Sequence, residues 1–411
     1  MIPRPTLMPE SPAPPSQSGK ATLVATCALG TEPALKQELH ALRVNKVKGS
    51  RGSVAFEGTL QDAMRACLEL RSAMRVLWPL HTFPAENADA LYEGTRSIPW
   101  ADHLTPKHTF AVEATGATPE LRHTGFVALK VKDAICDTMR EAAGARPDVD
   151  ARHPNVPVLV HLHDGNATVS LDLAGPALHR RGYRPEGAQA PLKETLAAAL
   201  LLMAGYDGKV PFVDPMAGSG TLAVEAAWMA MQRAPGLDRH FAFERWPTFA
   251  GEMQGHWHRL LHAARARVKT QDVPMVLARD WLDTPMEHLM ESVTRAGVDA
   301  VVRVERGDVR KLRLPVGPGM VLSNPPYAER MGKDLQILGL YRSLGQVAQT
   351  WEGWTVAFFC AHPRFEREVG LPVERRWTLH NGALKTELFR YAPMPAAAED
   401  GAAMPPEEDP Q

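Results

Sequence analysis

The sequence predicts an α/β chain in which small α+β modules precede a doubly wound domain built on a parallel sheet. Three observations carry this reading. From residue 186 onward, short apolar runs alternate with helical patterns, as in βαβ units. A short apolar run at 210–213 leads into Asp214-Pro215-Met216-Ala217-Gly218-Ser219-Gly220-Thr221 and then an apolar helix over 222–230, so strand, glycine-rich turn and helix follow in succession. Four polar motifs fall where strands are predicted to end, the place where open α/β sheets hold ligands.

The elements follow in order. Residues 21–27 read as a strand, 32–42 as a helix with apolar spacing and 53–56 as a second strand, a small α+β unit over 21–60. Residues 61–185 alternate helices with strands at 109–113, 156–162 and 167–173. In the doubly wound domain, 210–213, 275–280, 300–308 and 320–322 read as buried strands, 354–362 as a fifth, and 376–378 with 386–391 as a closing antiparallel pair. The stretch 232–271 interrupts the alternation and is expected to be an insertion. The proline-rich residues 1–20 and the acidic residues 394–411 read as a disordered leader and tail.

Composition narrows the class. The 411 residues are 45% hydrophobic, ample for packed cores. No apolar run approaches the roughly 20 residues of a membrane span. Cys27, Cys67, Cys136 and Cys360 are scattered, without the paired spacing of a zinc or iron–sulfur site, and are expected to be reduced core residues of a cytoplasmic protein. His161 and His163 share a strand face, but no third ligand has matching spacing; structural histidines and no metal are expected. The net charge is −1, and without the acidic tail it is +4. Nucleic-acid binding would therefore need local patches: Lys36, Arg43, Lys46, Lys48 and Arg51, or Arg180, Arg181, Arg184 and Lys193, each of which reads more readily as a solvated face.

Asn324-Pro325-Pro326-Tyr327 follows the apolar run Met320-Val321-Leu322. Two prolines stiffen the chain, remove two donors and leave two carbonyls to accept hydrogen bonds. Asn324 adds an amide and Tyr327 a flat ring, together suited to a planar group bearing an amine. An ordinary Asn-Pro turn is the alternative. The glycine turn is not a P-loop, since no Lys-Ser or Lys-Thr pair follows it, and a nicotinamide site is disfavoured because Asp214 would face the pyrophosphate. S-adenosylmethionine fits better, its sulfonium and ammonium being cationic. Asp280 could then bind ribose hydroxyls and Asp308 an adenine amine, although either alone also reads as a solvated strand end.

From residue 21 to 393 the chain resembles the THUMP-containing bacterial ribosomal RNA guanine-N2 methyltransferases, the RlmL-like family. The resemblance rests on Phe56-Glu57-Gly58, Arg71-Ser72-Ala73-Met74-Arg75-Val76, Leu91-Tyr92-Glu93-Gly94 and Lys130-Val131-Lys132-Asp133-Ala134-Ile135. Leu171-Asp172-Leu173, His179-Arg180-Arg181-Gly182-Tyr183-Arg184, Phe241-Ala242-Phe243-Glu244-Arg245-Trp246-Pro247 and the run from Ala190-Pro191 to Ala199 extend it. Ala278 and Ala328 stand where the family tends to have glycine, before a matching Glu329-Arg330. The resemblance implies a ferredoxin-like element over 21–60, a THUMP RNA-binding domain over 61–185 and a class I, Rossmann-like methyltransferase domain over 186–393. It implies S-adenosylmethionine as cofactor, held by Asp214, Gly218, Ser219, Gly220, Thr221, Asp280 and Asp308. Asn324, Pro325, Pro326 and Tyr327 would be the catalytic residues, and 23S ribosomal RNA or its assembly precursor the partner. No second methyltransferase domain is expected in this chain. Guanine in transfer RNA, adenine in DNA, a protein amide, or a non-catalytic role in ribosome assembly are the competing readings.

Overall fold

The computed structural model describes residues 19–187, 192–327 and 334–393. All but the last two residues of the expected leader, the expected tail, Ala190-Pro191 and Ala328 with Glu329-Arg330 lie outside the described residues.

Two sheets organise the chain. The first has eight strands in the order β2-β3-β1-β4-β8-β7-β5-β6. They are β1 (Ala21–Thr26), β2 (Asn45–Ser50), β3 (Ser53–Gly58), β4 (Arg75–Pro84), β5 (Thr109–Gly116), β6 (Asp148–Val149), β7 (Val156–His163) and β8 (Asn166–Asp172). Four helices accompany it: α1 (Glu32–Ala41), α2 (Leu60–Glu69), α3 (Ala88–Arg96) and α4 (Thr124–Ala143). Their ends are local in origin. A Thr59–Asp62 capping box starts α2, Asn87 caps α3, and Gly144 in the left-handed region ends α4. β4 pairs with β1 on one side and β8 on the other, so the sheet runs unbroken through the N-terminal half.

The second sheet has seven strands. After α5 (Glu194–Ala204) come β9 (Phe212–Asp214), α6 (Thr221–Ala230), α7 (Glu252–Ala266), β10 (Val276–Asp280), α8 (Asp283–Ala296), β11 (Val302–Arg306) and β12 (Gly319–Ser323). Then follow α9 (Asp334–Ala348), β13 (Trp354–Cys360), α10 (Phe365–Val369), β14 (Val373–Asn381) and β15 (Leu384–Tyr391). The order is β11-β10-β9-β12-β13-β15-β14, the first five parallel and the last two antiparallel. The chain winds outward from β9 to β11, then returns to β12 on the other side of β9. That reversal is the topological switch point, and it opens a crevice at the carboxyl ends of β9 and β12. The buried faces of these strands explain why they read as short apolar runs.

The insertion at 232–271 packs against the N-terminal half. Phe241, Phe243, Trp246, Met253 and Trp257 join the core of the first sheet, with Trp246 against Trp78 at 6.2 Å between ring centroids. Two arginines, Arg181 buried and Arg71 part-buried, tie the two halves further. Arg71 donates to the Arg233 carbonyl at 2.7 Å, and Arg181 donates to the Arg71 carbonyl at 2.6 Å and to Glu225 of α6 at 3.4 Å. This corrects the second basic patch: Arg181 is buried, and Arg184 is part-buried against Glu194 at 3.2 Å, while Arg180 and Lys193 remain exposed. In the first patch Arg43, Lys46, Lys48 and Arg51 are exposed, Lys46 pairing with Glu57 at 2.6 Å on the edge of the sheet.

All four cysteines are buried free thiols. His161 and His163 sit exposed on one face of β7, as alternation requires, with rings 6.1 Å apart. Among the described residues no cluster of three His, Cys, Asp or Glu could hold a metal ion, and no helix is long and apolar enough to cross a membrane.

Candidate active site

The crevice at the switch point is a cleft of ≈ 1430 Å³. Asp280, Gly218 and Asp308 line one part of it, and Asn324, Pro325, Pro326 and Tyr327 another. A smaller cavity of ≈ 100 Å³ adjoins it between the glycine turn and the fourth motif, lined by Asp214, Gly218, Ser219, Thr221 and Asn324. The two cavities thus bring together every residue expected at the site except Gly220, whose role is structural.

Each position follows from its element. Asp214 ends β9 and is buried. Its Oδ1 accepts from Ser323 Oγ at 2.5 Å and from the Met216 amide at 3.2 Å. Burial pushes its pKa up to about 7, with those two bonds opposing the rise. Gly218 has φ +55° and open space where a Cβ would stand, so a ligand can approach the backbone. Gly220 has φ +85°, and a side chain there would strike Leu289 of α8; it lets α6 start close against its neighbour. Thr221 is the first residue of α6.

Asp280 ends β10 and accepts from the Gly218 amide at 2.8 Å and the Leu282 amide at 3.0 Å. Those bonds use one site on each oxygen, and a carboxylate offers about four, so hydroxyl groups can still be accepted. Asp308 is more occupied. It accepts from the Arg310 amide at 2.9 Å and from Arg310 Nε at 2.8 Å and 3.0 Å, and it also pairs with Nη2. These bonds to Arg310 hold its carboxyl below the ordinary range. An adenine amine could bind Asp308 once the exposed Arg310 side chain swings away.

Asn324 follows β12 directly. Its Oδ1 is buried and has no hydrogen-bond partner among the described residues. The two prolines are not equivalent, which corrects the expectation of two free carbonyls. The Pro326 carbonyl accepts from Tyr341 Oη of α9 at 2.8 Å, which braces the loop from below. Tyr327 is half-buried and packs against the core that contains Tyr341.

Sequence reasoning missed several residues. Trp281 lines the cleft while 60% exposed; a large apolar residue directly after a strand-ending carboxylate was the available signal. Tyr341 and the turn Asn381–Leu384 also line or support the site; the closing strand pair marks the turn in the sequence, but no local pattern marks either as part of the site.

Comparison with known proteins identifies the domains. Residues 181–389 match the RMKL-like methyltransferase domain, 85–172 the THUMP domain and 22–77 the RlmL ferredoxin-like domain. Ribosomal RNA large subunit methyltransferase K/L of Syntrophotalea carbinolica is 39% identical over 379 residues, 89% of this chain and 53% of that protein. The protein of the same name from Methylococcus capsulatus is 39% identical over 376 residues, 89% and 50% respectively. The chain spans about half the length of these curated relatives. Among solved structures, SMU.472 in complex with SAH superposes with a TM-score of 0.83 at 28% identity, covering 90% of this chain and 98% of that one. A Listeria monocytogenes protein, named as a predicted N6-adenine-specific DNA methylase, gives 0.82 at 29% identity, covering 91% and 96%. A glycine turn and an Asn-Pro-Pro-Tyr loop meeting at one switch point, within a domain match that takes in half the chain, place this protein in the RMKL-like methyltransferase family.

Proposed function

We propose that this chain binds S-adenosylmethionine in the cleft and methylates the exocyclic 2-amino group of a guanine in large-subunit ribosomal RNA, 23S or its assembly precursor. The observation that carries the reading is the buried, unpartnered Oδ1 of Asn324 at the junction of the two cavities. A buried acceptor without a donor costs roughly 1–3 kcal/mol. An incoming amine supplies that donor.

The residues present suit the cofactor. Bound S-adenosylmethionine supplies a methyl group on a cationic sulfur. Asp214, the open backbone of Gly218, and Ser219 and Thr221 line the small cavity that takes its amino-acid end. Asp280 has capacity left for ribose hydroxyls, Trp281 offers a flat surface for the adenine, and Asp308 accepts its amine in exchange for Arg310. The cleft exceeds the roughly 300–1,000 Å³ of a single small-ligand site, leaving room for a base beside the cofactor.

The guanine amine is a weak nucleophile because its lone pair is delocalised into the ring. Asn324 Oδ1 and the Pro325 carbonyl each accept one N–H, which favours a pyramidal nitrogen and returns the lone pair to it. Tyr327 stacks on the base, which must leave its own stack to reach the site. With S-adenosylmethionine bound, the methyl group would pass to the nitrogen held by Asn324 and Pro325, the electron pair of the broken C–S bond leaving with the sulfur, and that nitrogen would release one proton to water. Positioning of this kind can supply roughly 7–11 kcal/mol of the barrier, so no strong base is needed.

The modules over 21–60 and 61–185 bind and orient the RNA, with Arg43, Lys46, Lys48, Arg51 and Arg180 as phosphate contacts, and Lys193 of the methyltransferase domain, which lines the cleft, adds another. The enzyme works in the cytoplasm, where ribosomal RNA is made and its four thiols stay reduced. The test is nucleoside mass spectrometry after reaction with labelled cofactor and unmodified ribosomal RNA. Label in 2-methylguanosine supports the reading. Label in methyladenosine, or in transfer RNA alone, overturns the substrate assignment.

A further inference from the structure

The turn that joins β14 to β15, Asn381–Leu384, also lines the cleft, and its strands lie on the side of the sheet where β12 leads to Asn324 and Tyr327. It is a two-residue hairpin loop with Gly382 at φ +65°, and Asn381 pairs with Leu384 across it. β14 is the edge strand of its sheet, so one row of its backbone groups faces outward. One of them is not free. The His380 amide, next to the turn, donates to the Leu29 carbonyl at 3.0 Å. Leu29 belongs to the connection between β1 and α1 in the N-terminal half, more than 300 residues away in sequence. The neighbouring Gly30 has φ +90°, and a side chain there would collide with the Thr378 carbonyl and Leu379. Ala28 and Trp377 pack on the same core beside this contact. The N-terminal half therefore meets the catalytic sheet next to the cleft wall, through an interlock that a residue larger than glycine would displace.

We propose that the Leu29–Gly30 turn is a positioning element for the acceptor side of the site: it holds the end of β14, and through it sets where the Asn381–Leu384 turn stands against the acceptor base. This rests on the reading of that part of the cleft as the acceptor site. It gives the N-terminal half a task besides holding RNA. A module that grips RNA and also fixes the wall against which the target base rests keeps the two in a constant geometric relation. A misplacement of about 1 Å at such a wall can cost on the order of 100-fold in rate.

Two substitutions approach the contact from opposite sides. Gly30→Ala introduces the collision. His380→Pro removes the outward amide along with the imidazole, a change an edge strand tolerates because that N–H is not part of the ladder to β15. Two measurements are made on the full chain. Hydrogen exchange at the Asn381–Leu384 turn should become at least about fivefold faster in either variant, the loss expected from one hydrogen bond, while exchange at the Gly218 turn stays as in the wild type. Steady-state methylation should lose at least about tenfold in kcat/KM for RNA, with S-adenosylmethionine Kd unchanged. If His380→Pro folds and leaves both exchange at the turn and kcat/KM unchanged, the contact does not position the wall and the proposal fails. If exchange rises but kcat/KM holds, the turn is not an acceptor wall and the proposal fails equally. A wild-type chain that methylates no RNA would overturn the proposed reaction instead, and the exchange measurement would still decide whether Leu29–Gly30 holds the turn.

Discussion

Asp214 offers a prediction in which the sign and the size both come from its surroundings. The carboxyl is buried, and its pKa is pushed up to about 7 from an ordinary value near 3.8. A cationic ligand beside it favours the ionised form, so binding below pH 7 must expel a proton. For a group titrating at about 7, the ionised fraction rises from roughly one thirtieth at pH 5.5 to one half at pH 7. S-adenosylmethionine affinity should therefore rise about fifteenfold over that range. Staying at or below pH 7 keeps the ligand's own ammonium charged. Asp214→Asn keeps an acceptor for Ser323 but cannot ionise; its affinity should vary less than about twofold over the range and lie below that of the wild type at pH 7. Calorimetry in two buffers of different ionisation enthalpy measures both the affinity and the protons released. Wild-type binding that is flat from pH 5.5 to 7 with no proton release would refute the reasoning. The stability consequence has the opposite sense. Between about pH 4 and pH 7 the folded chain without ligand holds a proton at Asp214 that the unfolded chain has lost, so this group weakens the fold as pH rises through that window.

Three other expectations concern single residues. Asp280→Ala removes the acceptor of the Gly218 and Leu282 amides together with the proposed ribose contact, and should weaken cofactor binding by about 1.5–3 kcal/mol in calorimetry; unchanged affinity in a folded variant would remove Asp280 from the site. Tyr327→Phe should be mild and Tyr327→Ala severe in kcat/KM for RNA, because base stacking is worth about 1–3 kcal/mol and needs the ring, not the hydroxyl; equal losses in the two variants would argue against stacking. Tyr341→Phe takes the donor from the Pro326 carbonyl, and should lower kcat several-fold while cofactor Kd stays constant; a matching loss of cofactor affinity would mean a general disturbance of the domain.

The parts of the site legible in the sequence are those whose signal is local. Asp214, Asp280 and Asn324 each end or follow a short buried strand, and parallel strands in this setting read as apolar runs with a polar stop. The glycines were legible because two positive φ values in one turn leave few other residues possible. What stayed hidden depends on partners far along the chain. Arg181 and Arg184 look like an RNA patch in sequence, and their burial follows from Glu225 and Glu194, which no spacing rule connects to them. That the stretch around Phe241 and Trp257 packs into the core of the first sheet was not legible, because that core is built by residues such as Trp78. Tyr341 sits on a helix whose periodicity explains its burial but not its bond to Pro326.

The central claim is that Asn324 acts on the transition state of methyl transfer to a guanine amine. The most direct measurement is the rate of 2-methylguanosine formation at saturating cofactor and RNA, for wild type and Asn324→Ala, with both dissociation constants determined alongside. Losing a preorganised acceptor at the reacting nitrogen should cost about 100-fold or more in kcat, with both affinities within a few-fold of wild type. An Asn324→Ala enzyme with wild-type turnover, or one whose loss is matched by weaker binding, would contradict the account.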